Sequence, residues 1–331
     1  ELQKIKNFTE LFNIIPLDES ISTIAKDLVY QYAKSHSLDI PDSLIASTAL
    51  KMNLPENVIL LDSLGDLHPD NTSPILVCAS HCGDNGTFAR KLKNSGVKAV
   101  FLNNAGIGKN QAGISGLSHY EAEGIVACAV DCMSAEIGVA HDTWESGIIS
   151  HLNSSAEKKG IQAGYSVQEA VAKINHIFNQ SSLSQKEFNI EFLSDEKKNN
   201  NVGLKKQIQT QIDGVNITIT DSITFLTDSN AGDIVVCGSH GGISAGHYAQ
   251  KHRLKAVFFN DAGIGKNNAG IKSLESLSNA GILVCTVDCM SAEIFNGQDV
   301  LDNGIITVCN QLAKTRNIKE GMTVKEAVKN I

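Results

Sequence analysis

The sequence predicts an α/β protein made of two homologous tandem halves, each a small, mostly parallel sheet flanked by helices. Three observations predict it. The heptapeptide Asp-Cys-Met-Ser-Ala-Glu-Ile stands at residues 131–137 and again at 288–294, 157 positions on. The string Ala-Gly-Ile-Gly-Lys-Asn recurs at 105–110 and 262–267 with the same offset, and 26 of 41 positions agree between residues 98–138 and 255–295. Within each copy, short apolar runs alternate with helical stretches, the pattern of βαβ units. Self-similarity at a fixed offset marks a duplication. Related halves of one chain are expected to pack about a pseudo-two-fold axis, as a homodimer does.

Four segments follow in chain order. Residues 1–57 read as an N-terminal helical segment, with Asp18 or Ser20 as a cap before 21–33 and Pro41-Asp42-Ser43 opening another helix. Residues 58–174 form α/β repeat 1. Its apolar runs 75–80, 99–102 and 125–130 have the composition of strands buried on both faces. The stretch 116–123 reads as a helix, and 147–156 is predicted helical from Ile148, Ile149, Leu152 and Ala156. Residues 175–216 are a polar linker, rich in Asn, Ser, Lys and Gln, and then a β-hairpin strand. Alternation in 206–212 and 215–220 around Asp213-Gly214 gives the hairpin. Residues 217–331 form repeat 2, with strands at 234–239, 256–259 and 282–287 and helices at 273–280 and 304–313.

Composition bounds the function. Hydrophobic residues at 42% and charged residues at 19% describe a globular chain, and 331 residues suffice for two domains. The net charge of −8, with no Lys/Arg run, argues against a nucleic-acid partner. No apolar run approaches the ~18 residues of a membrane span, and nothing in residues 1–13 reads as a targeting segment. Of the eight cysteines, Cys78, Cys128, Cys237 and Cys285 lie inside apolar runs, as small buried hydrophobes. That usage fits a reducing, cytoplasmic location. The expected partners are a small-molecule ligand and further copies of the chain.

Ligands of an open parallel sheet bind beyond the carboxyl ends of its strands, and the shared polar residues fall there. The first strand of each copy ends in Ser80-His81-Cys82-Gly83 or Ser239-His240-Gly241-Gly242. The second ends in Asn103-Asn104-Ala105-Gly106 or Asn260-Asp261-Ala262-Gly263, and the third in Asp131-Cys132 or Asp288-Cys289. His81 and His240 suit a general base or a metal ligand; the plainer role is a turn histidine bonded to a carbonyl. Cys132 and Cys289 are expected at a helix N-terminus, where backbone amides lower a thiol pKa, although Asp131 and Asp288 oppose that. A small buried thiol is their alternative role.

Asp131, Asp288, Glu136 and Glu293 fit acid–base or hard-metal chemistry, and Ser134 and Ser291 fit ligand binding; helix capping would use only one residue of each heptapeptide. Gly106, Gly108, Gly263 and Gly265 offer amides to an anion, with Lys109 and Lys266 as charges; a tight turn with a solvated lysine is the alternative. Walker A is excluded, because Asn103 and Asn260 replace its first glycine and Asn110 and Asn267 its Ser/Thr. Cysteines spaced four apart along strands do not make a zinc knuckle.

Ser-His-Gly after one strand and a short motif after the next resembles the caspase-like cysteine peptidases over about 30 residues per copy. Gly106 and Gly263 stand where that family carries its nucleophile, and Cys132 and Cys289 come one strand later, so the family is not assigned.

The expected function is an enzyme on a small polar or anionic metabolite, a hydrolase above all. His240 would be the base, with Cys289 as nucleophile or Asp288 and Glu293 as the acid–base pair. Gly263 and Gly265 would hold an oxyanion, and Gly83, Asn104, Gly242 and Asn260 would contact the ligand. The alternatives are a non-catalytic ligand-binding or sensor module and a divalent-metal lyase or isomerase using His240, Asp261, Asp288 and Glu293. Asp261 opposite Asn104 makes the second copy the more active one.

Overall fold

Two mixed sheets, of five and six strands, are flanked by helices in the computed structural model, which describes residues 54–68, 73–184 and 207–331. The helices expected in residues 1–53 and the stretch 185–206 of the polar linker lie outside the described residues. The first sheet has the order β1 (Val58–Leu61), β2 (Ile75–His81), β3 (Ala99–Asn103), β4 (Val126–Val130), β5 (Ile149–Leu152). β2, β3 and β4 are parallel, and β5 runs antiparallel to β4. The second sheet contains β6 (Gln207–Ile212), β7 (Val215–Thr220), β8 (Ile234–His240), β9 (Ala256–Asn260), β10 (Leu283–Val287) and β11 (Ile306–Cys309), again in sequential order. Apart from Val58, both sheets belong to one compact unit, residues 59–331.

Every residue of β2, β3, β4, β8, β9 and β10 is buried. A strand alternates its side chains between two faces, and both faces are covered. Val236 packs with Val300 and Leu301 of α8 (Gly297–Asn303) and with Val324 and Ala327 of α10 (Val324–Val328). Its neighbours Val235 and Cys237 pack on the other side, against α6 (Ile243–Lys251) and α7 (Ser273–Asn279). In the first sheet, Leu76 and Cys78 face α1 (Thr87–Asn94) and α2 (Gly116–Ala122). Beyond β4 come α3 (Ala140–Ser146), the one-turn α4 (Ser154–Glu157) and α5 (Val167–Ser184); α9 (Gln311–Thr315) follows β11. No described helix is long and apolar enough to cross a membrane.

Two expectations are corrected. The blocks 147–156 and 304–313 are not single helices: each begins as an antiparallel edge strand, β5 or β11. The cause is Asn153 and Asn310. Asn153 extends the ladder by accepting from Ala127 N–H and donating to the Ile125 carbonyl, and its Oδ1 then caps α4 through Ala156 N–H. Asn310 bonds Ile282 and Ala313 in the same way. Secondly, Cys132 and Cys289 do not open helices. Residues 131–139 form turns, and α3 begins only at Ala140.

Candidate functional site at the carboxyl edges of the two sheets

β2 and β8 end in His81 and His240, and the two imidazoles meet edge to face with ring centroids 6.4 Å apart. Both are buried. Burial in a weakly polar environment disfavours the imidazolium and pushes His81 down to about 4 and His240 to about 3, so both are neutral near pH 7. Gly242 N–H donates to His240 Nδ1 at 3.0 Å, which puts the proton of the neutral ring on Nε2. His81 Nδ1 is buried without a hydrogen-bond partner among the described residues. The rings line a cavity of about 20 Å³ together with Ser63, Ser80, Ser239, Ser244 and Tyr248. That is room for about one water.

The repeated turns lie at the seam between the sheets. A Cβ on Gly106 would sit 2.9 Å from the Gly263 Cα, and a Cβ on Gly263 would sit 2.9 Å from the Gly106 Cα. Lys109 N–H donates to the Cys289 carbonyl and Lys266 N–H to the Cys132 carbonyl, each at 2.8 Å. Lys109 pairs with Asp299 at 2.8 Å and Lys266 with Asp142 at 2.7 Å. Burial alone would raise the carboxyls of Asp142 and Asp299, but the lysines and the Glu136 and Glu293 N–H groups hold both below the usual carboxylate range. Asn110 donates to Glu293, Asn267 to Glu136, and Lys272 also reaches Glu136. Both lysines and both glutamates expected to act on a ligand are thus engaged across the seam.

The glycine amides are engaged as well. Gly106 N–H donates to Asn104 Oδ1 and Gly263 N–H to Asp261 Oδ1, while Gly108 and Gly265 donate to the carbonyls of Gly106 and Gly263. Cys132 and Cys289 N–H bond the same Oδ1 atoms at 3.0 Å. Asn104 and Asp261 thus accept the same two backbone bonds through this oxygen. Ser134 and Ser291 donate to the carbonyls of Asp131 and Asp288 and accept from the N–H groups of Ile148 and Ile305. Buried Asn103 and Asn260 bond Ala135 and Ala292. Gly83 and Gly242 have no room for a side chain: a Cβ would lie 2.7 Å from the Ala112 carbonyl oxygen or 2.7 Å from His240 Nδ1.

Asp261, Asp288 and Cys289 bring one donor atom each to within 4.8 Å of one another, a set that can hold a divalent cation. Burial, with Asp261 and Asp288 adding to it, pushes the Cys289 thiol up to about 12; burial also raises Cys132. Neither thiol is a thiolate near pH 7, and neither hydrogen-bonds to His81 or His240. The sequence-predicted residues thus divide into a histidine pair and a carboxylate–thiol set.

A larger cavity, of about 390 Å³, opens beside the seam. Asn85, Asn110, Asn296 and Gln298 supply carboxamides, Asp84, Asp221 and Glu293 carboxylates, and Ile219 and Phe295 apolar surface. No Lys or Arg lines it among the described residues. Sequence reasoning gave no site role to Phe295, Asp142 or Asp299. The signal for the carboxylates is the repeat itself, because Asp142 and Asp299 stand at its offset of 157. Compared with known protein families, with curated proteins and with solved structures, the chain finds no match in any of the three.

Proposed function

We propose that the chain is an enzyme that hydrolyses a small polar metabolite, using a water held between His81 and His240. The observation that carries this reading is the buried pair of neutral imidazoles over a water-sized cavity. His240, with its proton on Nε2, donates to the water and orients it. His81 takes the proton on a ring nitrogen as the water oxygen attacks and returns it to the leaving group. The 390 Å³ cavity is of metabolite size. Its carboxamides and the carboxylates of Asp84, Asp221 and Glu293, without Lys or Arg among the described lining residues, favour a neutral or cationic, hydroxyl- or amide-bearing substrate over an anion. We read the two sheets as duplicated halves about a pseudo-two-fold axis, because the seam contacts come in reciprocal pairs.

A second reading, a divalent-metal lyase or isomerase, is favoured by the Asp261, Asp288 and Cys289 donor set. One experiment separates the two. The full chain is screened against ester, amide and phosphoester panels beside His81→Ala, His240→Ala and Cys289→Ala. Losing a positioned acid or base should lower the rate by about a hundredfold or more in the histidine variants, with Cys289→Ala little changed. Activity that survives His81→Ala but not Cys289→Ala would sink the histidine reading. Activity abolished by EDTA and restored by Mn²⁺ or Zn²⁺ would move the reaction to the second.

A further inference from the structure

We infer that Phe295 decides what reaches His81, its ring being the wall between the 390 Å³ cavity and the imidazole. The inference rests on the reading of His81 as the acting base, but its test needs no turnover. Position 295 is where the otherwise identical strings end differently: Gly138 in one, Phe295 in the other. Both have left-handed backbone, φ +84° and +62°, a conformation that a bulky side chain rarely adopts. Phe295 N–H is tied to the Gly238 carbonyl at 2.7 Å. The ring packs against three others, with centroids 5.6 Å from His81, 5.7 Å from Phe88 and 6.3 Å from Phe225.

Phe295 lines the large cavity, whereas Phe88 and His81 line the small one. The ring of Phe295 therefore has the substrate-sized space on one side and the imidazole on the other. His240 is covered differently. The residue beside it is Gly138, whose Cβ, if present, would lie 3.0 Å from Ser244 Oγ and 3.5 Å from His240 Cε1. The residue facing His240 has no side chain, whereas the Phe295 ring lies against His81. The Phe295 ring can rotate or be displaced by a ligand, and Gly138 has no side chain to move. The asymmetry makes His81 the imidazole that a molecule in the cavity can approach, and Phe295 the residue that sets the size of what passes.

The probe is diethyl pyrocarbonate, whose carbonyl carbon is attacked by a neutral imidazole nitrogen, with ethyl carbonate leaving. Modification rates at each histidine of the full chain are read by mass spectrometry. In the wild-type chain, His81 should react more slowly than half-buried His119; equal rates would overturn the proposal on their own. Asn tolerates left-handed backbone, so Phe295→Asn removes the wall with little added strain. It should speed His81 by about tenfold or more, as expected when local access rather than global unfolding limits reaction, and leave His240 nearly unchanged. Phe295→Leu keeps an apolar wall and should stay near the wild-type rate. An unchanged His81 in folded Phe295→Asn, or His240 rising in parallel, would refute the inference. If Phe295→Asn does not fold, Phe295→Gly, the residue of the first copy, takes its place under the same criteria.

Discussion

His81 and His240 are held neutral by burial, and that state has a cost in acid. An imidazole in the unfolded chain takes a proton near 6.5; in the folded chain His81 does so only near about 4 and His240 near about 3. Between those values the unfolded chain binds more protons, so stability rises with pH. The contribution is complete above about 6.5 and drains away as the pH falls toward 4. A tenfold weaker hold on a proton is worth about 1.4 kcal/mol, so acidification to pH 4.5 should cost the pair about 5 kcal/mol. Urea melts at pH 7.5 and 4.5 on the wild-type chain and on His81→Gln/His240→Gln measure it. The wild-type chain should lose more stability than the double variant by about that amount. Parallel losses would mean that the folded imidazoles titrate normally, which would also remove the neutral pair from the proposed chemistry.

The turns at 105–110 and 262–267 are elements whose geometry only the seam explains. Ala105, Gly106, Ile107 and Gly108 all have positive φ, as do Ala262, Gly263, Ile264 and Gly265. A methyl at Gly106 would meet backbone, whereas Gly96, at φ +77°, has nothing within 4 Å of its Cβ position. Gly96→Ala should therefore cost only the left-handed penalty of about 1–2 kcal/mol, and Gly106→Ala clearly more in denaturant melts; equal costs would show that the seam can part. How far such elements are legible in the sequence varies with the reach of the forces that shape them. The buried strands are legible because β2 and β8, covered on both faces, are apolar until the Ser-His pair at their carboxyl ends. Edge strands β5 and β11 are not: Ile148, Ile149, Leu152 and Ala156 fit a helical period, and the ladder role of Asn153 depends on Ile125 and Ala127, 26 to 28 residues away. The same limit applies to the candidate site. Identity between the copies locates the carboxyl edges, but not the roles there, because Lys109 and Asp299 lie 190 residues apart. Phe295 is visible only as the odd residue in a matched string.

At the scale of the whole molecule, the strain in the turns and the bonds across the seam imply each other. Left-handed backbone at Ala105, Ile107, Ala262 and Ile264 costs roughly 4–8 kcal/mol together, at 1–2 for each residue. That is comparable with the whole stability of a typical domain, about 5–15 kcal/mol, so neither turn should keep this conformation without the opposite sheet against it. Lys109–Asp299 and Lys266–Asp142, partly shielded from water, hold the turns in place, with the reciprocal Lys-to-Cys backbone bonds beside them. The two sheets should then unfold in one step. The chain supplies its own probe, because its single tryptophan, Trp144, is 4% exposed and lies in α3, beside the first sheet. Trp144 fluorescence and far-UV circular dichroism should trace one coincident urea transition, the criterion for two-state behaviour. Asp299→Asn, placed beside the second sheet, should lower the Trp144 midpoint by an amount equivalent to about 1–3 kcal/mol, since it leaves Lys109 without its partner. A Trp144 transition that ignores Asp299→Asn, or that separates from the circular dichroism transition, would mean the sheets fold independently and the turns carry their strain unaided.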